Sequence, residues 1–194
     1  MSYLILASAS PRRRELLQQA SVPFTVIPSR TSEESQAGEA PGAYALRLAC
    51  EKALEVARRH PGAWVLGADT IVESAGEILG KPRNAADGER MLRLLSGRTH
   101  WVMTAFALID RDGQVWASRV ITSMVTFKSL SDAQIHEYLA TGEPFDKAGA
   151  YAVQGLGAAL VKRVEGSYTN VVGLPMDEVL VVLRAAGLLP NTDV

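Results

Sequence analysis

Cysteine is almost absent: the 194 residues contain one, Cys50. No internal disulfide can form, which suits a reducing compartment. Long apolar runs are missing as well, and none approaches the ~18 residues of a membrane span. The N-terminus, Met1 to Ala7, lacks a positive leading segment, and its short apolar stretch reads as a first strand, not a signal peptide. A soluble, cytoplasmic protein is expected. His60, His100 and His136 are scattered, without metal-ligand spacing. There is no Gly-x-Ser-x-Gly elbow. Gly76 and Gly80 enclose only three residues before Lys81, and Pro82 stands where a P-loop needs Ser or Thr, so a P-loop is excluded. Gly155-Leu156-Gly157 lacks the third glycine of a dinucleotide fingerprint. Net charge is nearly absent too: 20 basic against 21 acidic residues leave −1. That argues against a duplex-DNA binder, which needs a broad basic face, but not against a small, locally basic pocket.

What remains is an ordinary globular composition, 47% hydrophobic and 21% charged. The length suits one domain, residues 1–194, of two lobes. A chain of this size hides about 70% of its unfolded surface and needs no staples. Leu4 to Ala7 reads as a strand. Ser10 as N-cap and Pro11 as first helical residue open a helix to Ala20. Phe24 to Ile27 reads as a strand, and residues 28–43 as a polar loop. A helix is expected from Tyr44 to Arg59, with Leu46, Ala49, Cys50, Ala53 and Ala57 as its apolar stripe. On that wheel Cys50 packs in the core and Lys52 lies at the border. Trp64 to Ala68 is a strand that delivers Asp69 at its C-terminal end. Ile78-Leu79 reads as a small strand. Asn84 caps a helix to Leu95. Thr99 to Ile109, apolar on both faces and so central, pairs through Asp110-Arg-Asp-Gly113 with Gln114 to Phe127. Ser131 to Gln134 is a capping box for a helix to about Ala140. A punctuated stretch 142–158, a strand Ala159 to Val164, a helix Pro175 to Ala186 and a tail from Pro190 complete the chain. This order predicts an α/β fold with a mixed, curved sheet and helices in two lobes around a cleft.

Several residues could carry chemistry. Arg12 to Arg14 crowd a helix start that is already positive; a bound phosphate would reverse that penalty, while the bland alternative is a solvated basic turn. Asp69 sits where ligands gather in α/β sheets and suits a base or an Mg²⁺ ligand, against the alternative of a turn aspartate. Glu33 and Glu34 read alone as a solvated loop. Lys52 either snorkels or points into a cleft. Asp146 and Lys147 read as a surface pair of little worth, and Gln154 offers a donor and an acceptor to a base edge.

Six motifs then occur in order: Ala7-Ser-Ala-Ser-Pro-Arg-Arg-Arg-Glu-Leu-Leu, Gly67-Ala-Asp-Thr-Ile-Val, Gly80-Lys-Pro, Ser96-Gly-Arg-Thr-His-Trp-Val-Met-Thr, Glu143-Pro-Phe-Asp-Lys-Ala-Gly-Ala-Tyr and Gly166-Ser-Tyr-Thr-Asn-Val-Val-Gly-Leu-Pro. Together they resemble the Maf family of nucleoside triphosphate pyrophosphatases from Leu4 to about Leu188. The resemblance implies a fold similar to inosine triphosphate pyrophosphatase. It also implies hydrolysis of a nucleoside triphosphate to monophosphate and pyrophosphate with a divalent cation, Mg or Mn. Asp69 matches the catalytic aspartate, Lys52 and Lys81 the active-site lysines, and Glu33 with Asp69 the metal carboxylates. Ser8, Arg12, Arg13, Thr70 and Gln154 match substrate-binding positions. Thr70 and Gln154 favour the branch acting on dTTP and UTP, including modified pyrimidine nucleotides. The 7-methyl-GTP branch carries Ser-Asp-Gln where this chain has Ala68-Asp69-Thr70. Ala105 departs from a common glycine, a matter of packing. A homodimer is among the implied partners, nucleic acid is disfavoured, and a non-catalytic regulator of cell division is the reading from another class.

Overall fold

The computed structural model describes residues 3–34, 36 and 38–190; the expected tail lies outside them from residue 191. β1 (Leu4–Leu6) is wholly buried and leads into α1 (Pro11–Gln19). The Ser10 side chain accepts from the Arg13 N–H, and Pro11 supplies the pre-set φ of a first helical residue. β2 (Thr25–Val26) and β3 (Trp64–Ser74) both run parallel to β1, with Leu4 opposite Trp64 and Ile5 opposite Thr25. β4 (Glu77–Leu79) folds back antiparallel on the end of β3. β5 (Thr99–Ile109) turns into β6 (Val115–Phe127) where the Asp110 N–H donates to Gln114 O. β7 (Val161–Glu165) is antiparallel to β6, with an irregularity at Thr126/Phe127. The strand order is β2-β1-β3-β5-β6-β7, with β4 on β3, so β5 is central and the sheet is mixed, as expected. The helices are α2 (Pro41–Arg59), α3 (Ala85–Leu95), α4 (Asp132–Ala140), α5 (Tyr168–Val172) and α6 (Met176–Ala185).

The chain divides into two compact units. The first comprises residues up to 69, 104–121 and 173 onward; the second comprises 70–103 and 122–172. β3, β5 and β6 each run from one unit into the other. In the first unit β1, the start of β3 and the end of β5 are buried together with faces of α1, α2 and α6. The second unit has its own apolar core, in which Val72, Leu79, Leu92, Val102, Phe127 and Tyr138 take part. Among the described residues no helix is long and apolar enough to cross a membrane.

The structure corrects four local readings. α2 begins at Pro41, inside the expected loop, because proline at the first helical position starts a helix instead of ending one. Its buried face is Tyr44, Ala45, Leu48, Ala49, Lys52, Ala53, Val56 and Ala57, which keeps Ala49, Ala53 and Ala57 of the expected stripe; Leu46 and Cys50 are only half-buried. Partial burial still pushes the Cys50 thiol pKa up. β3 does not end at Asp69 but continues to Ser74, because β4 pairs with its far end. Residues 155–160 form a 3₁₀ turn, so β7 starts at Val161, and α5 is an element the sequence reading leaves unassigned.

Candidate active site

The first unit's site begins with a close approach of helix and strand. A Cβ on Gly67 would lie 2.5 Å from Ala49 O and 2.8 Å from Ala53 Cβ. Only glycine lets α2 lie this close to β3. Asp69, two residues on, shares the strand face of Gly67, while Lys52 belongs to the buried face of α2. Lys52 therefore reaches across to the strand. Its Nζ donates to Asp69 Oδ1 at 2.6 Å and to Glu33 Oε1 at 2.6 Å.

This is not a snorkelling lysine: Lys52 is 8% exposed and Asp69 7%. Both would be costly to bury alone, and pairing offsets that cost. Glu33 approaches from the long polar loop. The Tyr44 hydroxyl, on the first turns of α2, donates to Glu33 O at 2.8 Å. Burial, then the charges of Asp69 and Glu33, hold the Tyr44 phenol above its ordinary pKa, so it stays a neutral donor. Arg47 fastens the same loop, with Nε and Nη2 on the Glu39 carboxylate at 2.8 and 2.7 Å and Nη2 also on Glu34 O at 3.1 Å. The loop is thus tied to α2.

Arg13 is buried at the start of α1 and serves as a clasp. Its Nε donates to Gly173 O at 2.8 Å, and its Nη1 to Ala68 O at 2.8 Å and Ser8 Oγ at 3.2 Å. The carbonyl immediately before Asp69 is thereby joined to the β1–α1 turn and to the segment before α6. Burial lowers the Arg13 pKa, opposed by the charge of Asp69. Buried Ser8 also accepts from the Ser10 N–H at 3.2 Å. Arg12 is half-buried beside this clasp.

The remaining candidates belong to the second unit. Thr70 follows Asp69 on β3 and is half-buried. Lys81 is exposed in the connection from β4 to α3. Gln154 is exposed at the N-cap of the 3₁₀ turn Gly155–Leu160. The Asp146–Lys147 pair forms as expected, and Lys147 Nζ also donates to Glu143 O at 2.6 Å. Sequence reasoning misses the carbonyl partners of Arg13 and the role of Gly67. A glycine two residues before an acidic strand residue, opposite an Ala-x-x-x-Ala helix, is the signal that carries the second.

Among the described residues no three His, Cys, Asp or Glu side chains form a metal cage. The oxygens present do suit a hard cation, because Asp69 and Glu33 converge on a single ammonium. Mg²⁺ is commonly held by one or two carboxylates, with substrate phosphates and water completing the shell.

The model of the family described as Maf-like protein matches residues 3–186. The chain belongs to the Maf-like family. A relative from Myxococcus xanthus, named dTTP/UTP pyrophosphatase, is 55% identical over 185 residues, 95% of this chain and 93% of the relative. Another of that name from Geobacter sulfurreducens is 53% identical over 96% of this chain and 97% of its own. Among solved structures, a nucleoside-triphosphatase / dITP/XTP pyrophosphatase from Mycobacterium abscessus superposes with a TM-score of 0.43 at 17% identity, over 97% of this chain and 98% of that one.

Proposed function

We propose that this member of the family hydrolyses dTTP and UTP, and modified pyrimidine nucleoside triphosphates, to the monophosphate and pyrophosphate. The observation that carries this is the buried Asp69, joined through Lys52 to Glu33. The full-length likeness to relatives named dTTP/UTP pyrophosphatase supports the pyrimidine choice.

Asp69 orients a water and takes its proton as the water oxygen attacks the α-phosphorus. The bond from that phosphorus to the bridging oxygen breaks, and pyrophosphate leaves with the electron pair. No covalent enzyme intermediate is needed. Lys52, Lys81 and Arg12 meet the negative charge that grows on the leaving group. Arg13 and Ser8 hold the start of α1, whose N–H groups face phosphate. Thr70 and Gln154 serve the nucleoside. When a divalent cation, Mg or Mn, is bound, Asp69 and Glu33 hold it and it neutralises phosphate charge. A cytoplasmic enzyme acting as a homodimer completes the reading, the dimer being read out by sedimentation.

The test is a turnover panel of UTP, dTTP and 7-methyl-GTP under Mg²⁺ and Mn²⁺ titration, with pyrophosphate as the measured product. Metal-dependent pyrophosphate release from UTP and dTTP is expected, and Asp69→Asn should lower kcat about 10²–10⁴-fold without unfolding. Faster turnover of 7-methyl-GTP would move the chain to the other branch. No turnover of any triphosphate, together with tight nucleic-acid binding, would favour a regulator without catalysis. Full activity of a folded Asp69→Asn variant would remove the role given to Asp69.

A further inference from the structure

We propose that Glu143, acting with Tyr138, is a positioning hub that fixes Gln154 and so sets the nucleobase preference; the proposal rests on reading Gln154 as the residue that meets the base. All of these groups lie in the second unit. Glu143 opens the 3₁₀ turn Glu143–Asp146, and Tyr138 lies on α4. Glu143 Oε1 accepts from the Tyr138 hydroxyl at 2.8 Å and from the Gly157 N–H at 2.9 Å. Glu143 Oε2 accepts from the Leu156 N–H at 3.0 Å. The Tyr138 hydroxyl oxygen in turn accepts from the Ala152 N–H at 3.2 Å.

The pattern brackets Gln154. The backbone is tied two residues before it, and two and three residues after it, all to one carboxylate–phenol pair. Gln154 itself is exposed. Gly155 makes the closeness feasible: its φ is +66°, and a Cβ there would lie 2.7 Å from Glu143 Oε2. Burial works against the charge of Glu143, but the Gly157, Leu156 and Tyr138 hydrogen bonds outweigh it and hold the pKa below the ordinary value. The carboxylate is thus ionised at neutral pH, and bonds to an ionised acceptor are stronger than neutral ones. Lys147 holds the turn from the other side through Glu143 O.

This charge is directed at a loop's N–H groups and does not serve an ion pair between elements of the core. Its consequence is pre-organisation. A side-chain amide distinguishes O4 of uracil from the N4 amino group of cytosine only if its donor and acceptor ends are held in one place. If the loop must be ordered on binding, the cost falls on substrate affinity.

Glu143→Gln, Tyr138→Phe, Gln154→Ala and the double variant Glu143→Gln/Gln154→Ala test this on the whole enzyme, with kcat and KM for UTP and CTP and a thermal melt as readouts. Glu143→Gln is expected to raise KM for UTP about tenfold, the scale of one lost charged hydrogen bond, with a much smaller change in kcat and a matching loss of the UTP-over-CTP preference. The double variant should be no less selective than Gln154→Ala alone. Wild-type selectivity in a folded Glu143→Gln, with selectivity lost in Gln154→Ala, would overturn the hub and leave the reading of Gln154 standing. Unchanged selectivity in Gln154→Ala would remove that reading and the hub with it. Should Glu143→Gln fail to fold, Tyr138→Phe, which removes one hydroxyl oxygen, carries the same expectation in smaller degree.

Discussion

In the first unit the polar groups withdrawn from water include charges, beside the neutral Ser8 and Thr104: Arg13 donates to Gly173 O, Ala68 O and Ser8 Oγ, and Lys52 is paired to Asp69 and Glu33. In the core of the second unit they are neutral. His100 Nε2 and the Tyr151 hydroxyl are 2.7 Å apart, stacked edge-to-face with Phe127, and Asn170 donates to Val102 O and Ser123 Oγ. Asp87 is the buried acid of the second unit, and its partners Arg83 and Arg90 lie at the surface. The contrast separates two uses of burial. Charges held in low dielectric act strongly on a charged reactant, at a cost in desolvation. Neutral polar groups fix a shape and cost less, provided they stay neutral. The two arrangements should therefore fail under different insults.

Removing the central cation is the largest. Lys52→Met keeps the bulk of the side chain and removes the ammonium that bridges Asp69 and Glu33. Activity is expected to fall about 10²–10³-fold, the usual scale for losing one stabilising group at a reacting centre. A buried charge deprived of its partner also costs about 3–5 kcal/mol, read as a lower urea midpoint. A variant with a normal midpoint and normal turnover would show that the pair is idle. The second unit, with its separate core, should keep its amide-exchange protection in either case.

How much of this was legible follows from what decides each feature. Local chemistry decides the caps and turns, and neighbouring residues alone make these legible: Ser10 with Pro11, Asn84, the Ser131–Gln134 box and the Asp110–Gly113 turn. Long-range contact decides the rest. Asp69 looks like a strand end until β4 is seen pairing with Val72–Ser74. Lys52 looks like a border residue because Leu46 and Cys50 draw the apolar stripe toward themselves. The small residues Ala45, Ala49 and Ala53 define the true face, since only they admit a strand as near as Gly67. The carbonyls that engage Arg13 are 160 and 55 residues away, and no spacing rule connects them. The motifs name the residues of the candidate site, but which of them touch is a property of packing.

Acid should act on the other half of the comparison. His100 is 1% exposed, its Nδ1 has no partner among the described residues, and burial lowers its pKa to about 4. The unfolded chain takes up its proton near pH 6.5, and the folded one only near 4. Above pH 6.5 the imidazole is neutral in both states and its contribution is fully present. As the pH falls from 6.5 towards 4 that contribution is lost, by about 3 kcal/mol in all. Urea midpoints at pH 7 and pH 4.5 measure it. In His100→Phe this part of the acid sensitivity should vanish, although the variant is weaker at pH 7 because the Tyr151 hydroxyl loses its partner. Equal pH slopes in the two proteins would mean that His100 is not the group that responds.

Two glycines give the finest comparison, one from each unit. Gly67→Ala sets a methyl against Ala49 O and Ala53, which are backbone and helix and cannot simply rotate away. α2 must shift, at about 1–3 kcal/mol, and Lys52 shifts with it, so turnover should fall along with the melting temperature. Gly80→Ala differs in every respect that matters: its Cβ would meet nothing within 4 Å, and its φ lies outside the region that favours glycine. Its backbone oxygen accepts from the Gly149 N–H at 3.1 Å, and alanine retains that bond. The remaining effect is on the unfolded chain, which loses freedom, so a change between nothing and about 1 kcal/mol of added stability is expected. Equal destabilisation of the two variants in parallel melts would mean that the approach of α2 to β3 does not depend on the missing side chain at Gly67.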